Sequence, residues 1–129
     1  YLRKHDHNII DEAIEKLRLT QLAYRPIGQL SGGQKQRVFL ARSLAQKADL
    51  YLLDEPFNGV DATTKKIIMG YIKNLKKDGK TIMIVHHKLE EVQHNFDLTM
   101  LLNRNLVSFG TTRDIFQEGA IQKVYFGSM

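Results

Sequence analysis

Cysteine is absent from the 129 residues, which excludes disulfides and thiol catalysis and fits a reducing cytosol. Long apolar runs are absent too: no stretch approaches the roughly 20 residues that span a bilayer. The opening Tyr1-Leu2-Arg3-Lys4-His5-Asp6-His7 holds no apolar stretch that could act as a signal peptide. It holds no initiator methionine either, which predicts that the sequence begins inside a longer protein. One further absence bears on chemistry: G-x-x-x-x-G-K-[ST], the loop that cradles phosphates, occurs nowhere. Gly79-Lys80-Thr81 matches only its end. Asn74 stands where the loop's first glycine belongs, and the tripeptide leads into an apolar run rather than a helix.

What is present is the material of one ordinary globular domain, 43% apolar and 26% charged. The net charge of +5 raises the question of an anionic partner. The basic residues are dispersed, however. Their densest clusters, Lys65-Lys66 and Lys73, Lys76, Lys77 and Lys80, fall on or beside one predicted helix with apolar residues between them. A solvated helix face accounts for that pattern better than a nucleic-acid stripe, so no direct nucleic-acid partner is expected.

Asn8, Asp11 and Glu12 read as a helix start, and Ile9, Ile10, Ala13, Ile14 and Leu17 recur at helical spacing to about Arg18. His5 and His7 are left in an exposed polar leader. Tyr24-Arg25-Pro26-Ile27-Gly28 reads as a loop. Ser31 caps the next helix, whose apolar face is Val38, Leu40, Ala41, Leu44 and Ala45. Residues 50–53 form a short continuous apolar run, the pattern of a parallel strand buried on both faces. Asp61 caps a helix carrying Ile67, Ile68, Tyr71, Ile72 and Leu75, and Asp78-Gly79 turns the chain into a second buried strand over 81–85. Residues 98–102 and 106–109, joined at Asn103-Arg104-Asn105, read as a hairpin. Short helices from Thr112 and over 120–125 follow. Strands alternating with helices predict an α/β fold with a mainly parallel sheet.

The first apolar strand delivers Asp54-Glu55 to its C-terminal end, where parallel sheets place their ligands. Asp54 can supply an oxygen to magnesium, often through water. Glu55 can orient or deprotonate a water that attacks phosphorus, and Pro56 stops the strand where the carboxylates emerge. The competing reading is a strand end whose acids face solvent or pair with lysines. In Ser31-Gly32-Gly33-Gln34, two glycines permit positive φ angles and close backbone approach, the helix start offers N–H groups to an anion, and Ser31 can donate a hydroxyl. The competing reading is a plain capped helix after a flexible turn. His86-His87 follows the second strand, where a histidine can sense a γ-phosphate or simply lie on the surface. An anion-binding helix start beside a carboxylate-tipped strand is what phosphate-plus-magnesium chemistry requires.

In order and spacing these segments resemble the ATP-binding cassette (ABC) ATPases over essentially the whole chain. Leu30-Ser31-Gly32-Gly33-Gln34 matches the family's signature motif, and Leu50-Tyr51-Leu52-Leu53-Asp54-Glu55 matches Walker B. Asn58-Gly59-Val60-Asp61 falls where the D-loop lies, and His87, followed by Lys88-Leu89, matches the switch histidine. Within the family, Pro26-Ile27-Gly28-Gln29, Phe57-Asn58-Gly59-Val60-Asp61 and His86-His87 look like the cassettes of manganese, zinc or iron importers.

The resemblance implies a remnant of the P-loop NTPase (RecA-like) α/β core plus part of the ABC helical subdomain, the Walker A half being absent. Residues 1–45 would be the C-terminal part of the helical subdomain with the signature helix, and 46–129 the C-terminal part of the ATPase core. It implies ATP and Mg2+ as cofactors, Glu55 as catalytic base, His87 as switch, and Asp54 toward Mg2+ through water. Residues 30–34 would act in trans on the nucleotide of a second cassette in a head-to-tail dimer, with Asp61 in the D-loop. The other implied partners are membrane-spanning permease subunits, at the cytoplasmic face of the cell membrane. Without Walker A, the isolated chain is not expected to hydrolyse ATP, and its autonomous stability is expected to be poor, because a sheet missing its front strands exposes an apolar edge. Two other readings stay open: the head of a DNA-repair or chromosome ATPase, and a truncated non-catalytic interaction module.

Overall fold

Asp6 opens the first helix by accepting the Arg3 amide at 2.8 Å, and α1 then runs Lys4–Lys16. The helix therefore starts before Asn8 and takes in His5 and His7, the intended polar leader. Glu12 and Lys16 pair across one turn at 2.6 Å. Arg18 reverses the chain with a φ of +52°, setting Leu17 and Leu19 into the core on either side of it. The stretch that follows is not plain loop but contains two tight helical turns, Thr20–Leu22 and Ile27–Gln29.

The structure, a computed structural model, describes residues 1–127, so the last two positions of the 46–129 segment lie outside the described residues. It divides into two compact units, Tyr1–Val85 and His86–Met129. In the first, α2 (Gly32–Ala45) buries Leu40, Ala41 and Leu44, and α3 (Ala62–Lys77) buries Thr64, Ile68, Ile72 and Leu75. Between and after them lie β1 (Leu50–Asp54) and β2 (Thr81–Val85). The two strands pair in parallel with Leu50 opposite Thr81 and Asp54 opposite Val85. Asp49 anchors that register: its carbonyl accepts the Thr81 amide at 2.9 Å and its carboxylate pairs with Lys80 at 2.7 Å.

The strands are not buried on both faces, as their apolar sequences lead one to expect. Tyr51, Leu53, Ile82 and Ile84 are buried or half-buried, whereas Leu50, Leu52, Met83 and Val85 are exposed, Leu52 to 68%. The reason is geometric. Side chains alternate along a strand, α3 packs along β2, and the alternate face of this pair stands open. The exposed apolar surface is thus a face of the sheet as well as its edges.

In the second unit, α4 (Leu89–Asn95) is a helix the apolar pattern does not announce. Its local signal is Glu90 and Glu91 in the first turn, where carboxylates suit the helix dipole. Then β3 (Leu98–Asn103) and β4 (Asn105–Thr111) form the hairpin. Arg104 turns it with a φ of +60°. Helices α5 (Thr112–Gln117) and α6 (Ala120–Tyr125) follow. Leu101, Ile115 and Ile121 make the core of this unit, with Leu89, Phe116, Ala120 and Val124 packed against it.

Candidate functional site

The start of α2 is a reciprocal cap. Ser31 Oγ accepts the Gln34 amide at 3.2 Å, while Gln34 Oε1 accepts the Ser31 amide at 2.9 Å. Gln34 is thereby committed to holding Ser31 in place. Leu30, buried in front of the cap, anchors the entry of the chain. Gly32 and Gly33 are the first residues of the helix and are not among the glycines with positive φ. Their value is therefore not conformational freedom but bareness. A side chain built at Gly32 would meet nothing within 4 Å, and one at Gly33 would touch only Thr64, at 3.6 Å. Helix geometry leaves the first-turn amides without intrahelical acceptors, so an open, donor-rich helix start faces outward. That surface fits a phosphate group.

At the end of β1, Asp54 is exposed and Glu55 half-buried. The Glu55 amide donates to the Val85 carbonyl at 3.0 Å, extending the ladder one residue beyond the strand. Glu55 itself takes a φ of +47°, a left-handed conformation uncommon outside glycine that turns the chain sharply where the carboxylates emerge. The Asn58 amide then closes a four-residue turn onto the Glu55 carbonyl at 3.1 Å. Phe57 is buried, with the Lys65 ammonium 5.9 Å from its ring centre. Asp54 offers one exposed carboxylate, a donor set that fits a magnesium ion reached through water.

Asp61 accepts the Thr64 amide at 2.7 Å and caps α3. That backbone hydrogen bond, joined by one from the Thr64 side chain, holds the Asp61 carboxyl below its ordinary value, with the Thr63 amide and Arg37 charge adding to the effect. Thr64 is buried and lies against Gly33, so the starts of α2 and α3 meet. Further along α2, Gln36 Nε2 donates to the Pro56 carbonyl at 3.1 Å. Arg37 Nη1 donates to the carbonyls of Leu17 and Arg18 at 3.2 and 3.3 Å, closing the end of α1. Within the first unit, then, the structure brings residues 30–34 together with the turn that runs from Glu55 to Asp61. Gln36, Arg37 and Thr64 are the members that the motifs do not reveal. Side-chain bonds to backbone groups 20 positions away leave no periodic trace in a sequence.

In the second unit, the histidine pair is asymmetric. His86 is the buried member, its side chain 4% exposed, with Nε2 2.8 Å from Glu91 Oε2. It lies against Phe96, 6.4 Å between ring centres. His87 is exposed and meets the His86 ring edge-on at 5.9 Å. Lys88 extends to the other Glu91 oxygen at 3.8 Å. Glu91 thus fixes the ring next to the one that the motif singles out.

Residues 3–58 match the ABC transporter family. The manganese transport system ATP-binding protein MntB of Bacillus subtilis is 45% identical over 98% of this chain and 51% of its own length. The protein of the same description from Halalkalibacterium halodurans is 41% identical over 98% of this chain and 50% of its own. The zinc transport system ATP-binding protein TroB of Treponema pallidum is 48% identical over 90% of this chain and 44% of its own. The chain spans about half the length of the curated relatives it matches. Among solved structures, a metal-chelate type ABC transporter in an inward-facing conformation superposes with a TM-score of 0.87 at 30% identity, over 98% of this chain and 51% of that one. The ATP-binding cassette MJ1267 in its ADP conformation gives 0.81 at 25% identity, over 99% of this chain and 52% of that one.

Proposed function

We propose that the chain is part of an ATP-binding cassette of the ABC transporter family and presents its signature helix to a nucleotide held by a second cassette. The observation that carries this reading is the open, doubly capped start of α2. Ser31 donates its hydroxyl, and Gly32 and Gly33 their amides, to phosphate oxygens gripped by the partner's phosphate loop. Leu30 and Gln34 hold that start in place.

In the complete cassette, ATP with Mg2+ supplies, when bound, a γ-phosphoryl group and the charge that neutralises it. Asp54 would hold the magnesium ion through a water. Glu55 accepts a proton from the attacking water, and His87 hydrogen-bonds the phosphate side. Asp61, in the D-loop, fixes the start of α3 beside the signature helix. Residues 1–45 are the signature-bearing part of the helical subdomain, and 46–129 the Walker B half of the ATPase core.

The manganese- and zinc-transport descriptions of the relatives support a cassette that couples ATP hydrolysis to import of a metal ion or metal chelate. It would do so docked on membrane-spanning permease subunits at the cytoplasmic face of the membrane. No described helix is long and apolar enough to cross a membrane itself. Lacking the G-x-x-x-x-G-K-[ST] loop, this chain alone does not turn over ATP.

Sedimentation of the 129-residue chain with the Bacillus subtilis manganese-transport ATP-binding protein tests the reading. The expected result is a heteromeric complex that forms in ATP, not in ADP, and is lost with Gly33→Asp, which sets a carboxylate against the phosphate. Pairing indifferent to nucleotide or to Gly33→Asp overturns the proposal, and ATP turnover by the chain alone overturns its last clause.

A further inference from the structure

Four positions in the first turns of α2 make different attachments. Gly33 lies against Thr64, Gln34 locks Ser31, Gln36 reaches Pro56, and Arg37 closes the end of α1. The Gln36 bond has a consequence the others lack. Glu55, Pro56, Phe57 and Asn58 form a turn closed by the Asn58 amide on the Glu55 carbonyl. Pro56 and Phe57 are its two central residues. The plane of the peptide between them is what distinguishes the two common turn types, which differ by a rotation that reverses the direction of that one carbonyl. Gln36 Nε2 holds this same carbonyl at 3.1 Å, in partly buried surroundings.

We infer that Gln36 is a positioning residue that ties the signature helix to the orientation of the Pro56–Phe57 peptide, and through it to the left-handed backbone at Glu55. The inference rests on the signature reading of α2. In a head-to-tail pair the signature and Glu55 of one chain serve different nucleotides, so a link between them inside one chain couples the two sites. The link is a single amide donor on this carbonyl, and it acts together with Phe57, whose side chain disfavours the positive φ that a reversed peptide would demand. Displacing the first turns of α2 moves that donor. The peptide then loses the side-chain bond on its carbonyl and can tilt within its turn, which loosens the Asn58–Glu55 hydrogen bond that closes it.

The test is read in the free 129-residue chain by amide resonances and hydrogen exchange. Because it needs neither nucleotide nor partner, its failure is distinct from a failure of the chain to form an ATP-dependent pair. In the otherwise unaltered chain, Ser31→Ala loosens the start of α2 and is expected to speed exchange of the Asn58 amide severalfold. Gln36→Leu is expected to shift the Phe57 amide resonance, since that N–H belongs to the peptide whose carbonyl loses its donor. It should also speed Asn58 exchange by about tenfold, the loss of roughly one hydrogen bond. In that background Ser31→Ala should add less than about twofold if the coupling runs through the lost bond. Gln36→Lys, which keeps an N–H donor of similar reach, should restore the response to Ser31→Ala. Exchange at Ile68 and Ile72 inside α3 reports whether each variant is folded. Should Gln36→Leu fail that control, Gln36→Glu, close in shape but without a donor when ionised, takes its place. An unmoved Phe57 resonance, or a Ser31→Ala response that reaches Asn58 undiminished without the Gln36 donor, overturns the inference.

Discussion

Around the start of α2, side chains and backbone groups of the same unit supply the polar partners. Ser31 and Gln34 hold each other, Gln36 holds Pro56, Asp61 holds Thr64, and Arg37 closes α1. On the β1–β2 sheet, by contrast, Leu50, Leu52, Met83 and Val85 form an exposed apolar face opposite a packed one. The difference teaches how two kinds of functional surface depend on their surroundings. A helix start is completed by caps and by its immediate neighbours, so its geometry is settled locally. A parallel strand of this composition is suited to cover on both faces, and its residues find that cover only from other elements. The start of α2 is therefore the part of the candidate site whose geometry this unit settles locally, while the strand-end carboxylates sit on a half-covered sheet.

Substitution in the packed core should break the comparison most severely. Ile68, fully buried in α3 beneath the covered side, is expected to cost about 2–5 kcal/mol when changed to Ala, read as a loss in denaturant midpoint. Ser31→Ala comes next. Losing the cap should cost about 1 kcal/mol and leave residual amide exchange fastest in the first turn of α2.

A smaller effect is expected from acid. The Asp61 carboxyl is held below its ordinary value of 3.8 chiefly by the Thr64 amide. Its contribution to stability is therefore complete above that ordinary value and is lost as pH falls through the lowered one. Asp61→Asn, which still caps the helix, should flatten this part of the stability–pH curve below about pH 4; an unchanged curve assigns the acid response to other carboxylates. Least of all, Leu52→Lys on the bare face should change stability by less than about 0.5 kcal/mol while raising solubility, because it interrupts an exposed apolar patch. A large loss there would mean that the face is covered in solution.

Much of this was legible in the residues. Ser31 and Asp61 announce their helices because a cap is a local contract between residues three apart. Both apolar strands and the hairpin are legible in their apolar runs and in the turn at 103–105. Asp6 gives no sequence sign of starting α1, because its partner is the Arg3 backbone and not an apolar period. The bare sheet face was illegible for a different cause: the apolar pattern records the surroundings a strand is suited to, not those it has. Gln36 and Arg37 lay in plain view inside the motif run, yet their acceptors are carbonyls 20 positions distant. Any residue supplies a carbonyl, so composition carries no sign of such a bond. The histidine pair divided in the same way, for burial of His86 on Glu91 is a tertiary fact.

The central claim, that the start of α2 meets a nucleotide held by another cassette, is tested most directly by the amide resonances of Gly32 and Gly33. They should stay in place when ATP alone is added to the chain and shift when the Bacillus subtilis manganese-transport ATP-binding protein is present with ATP but not with ADP. Resonances that move with ATP alone, or that ignore the ATP-loaded partner, would contradict the account.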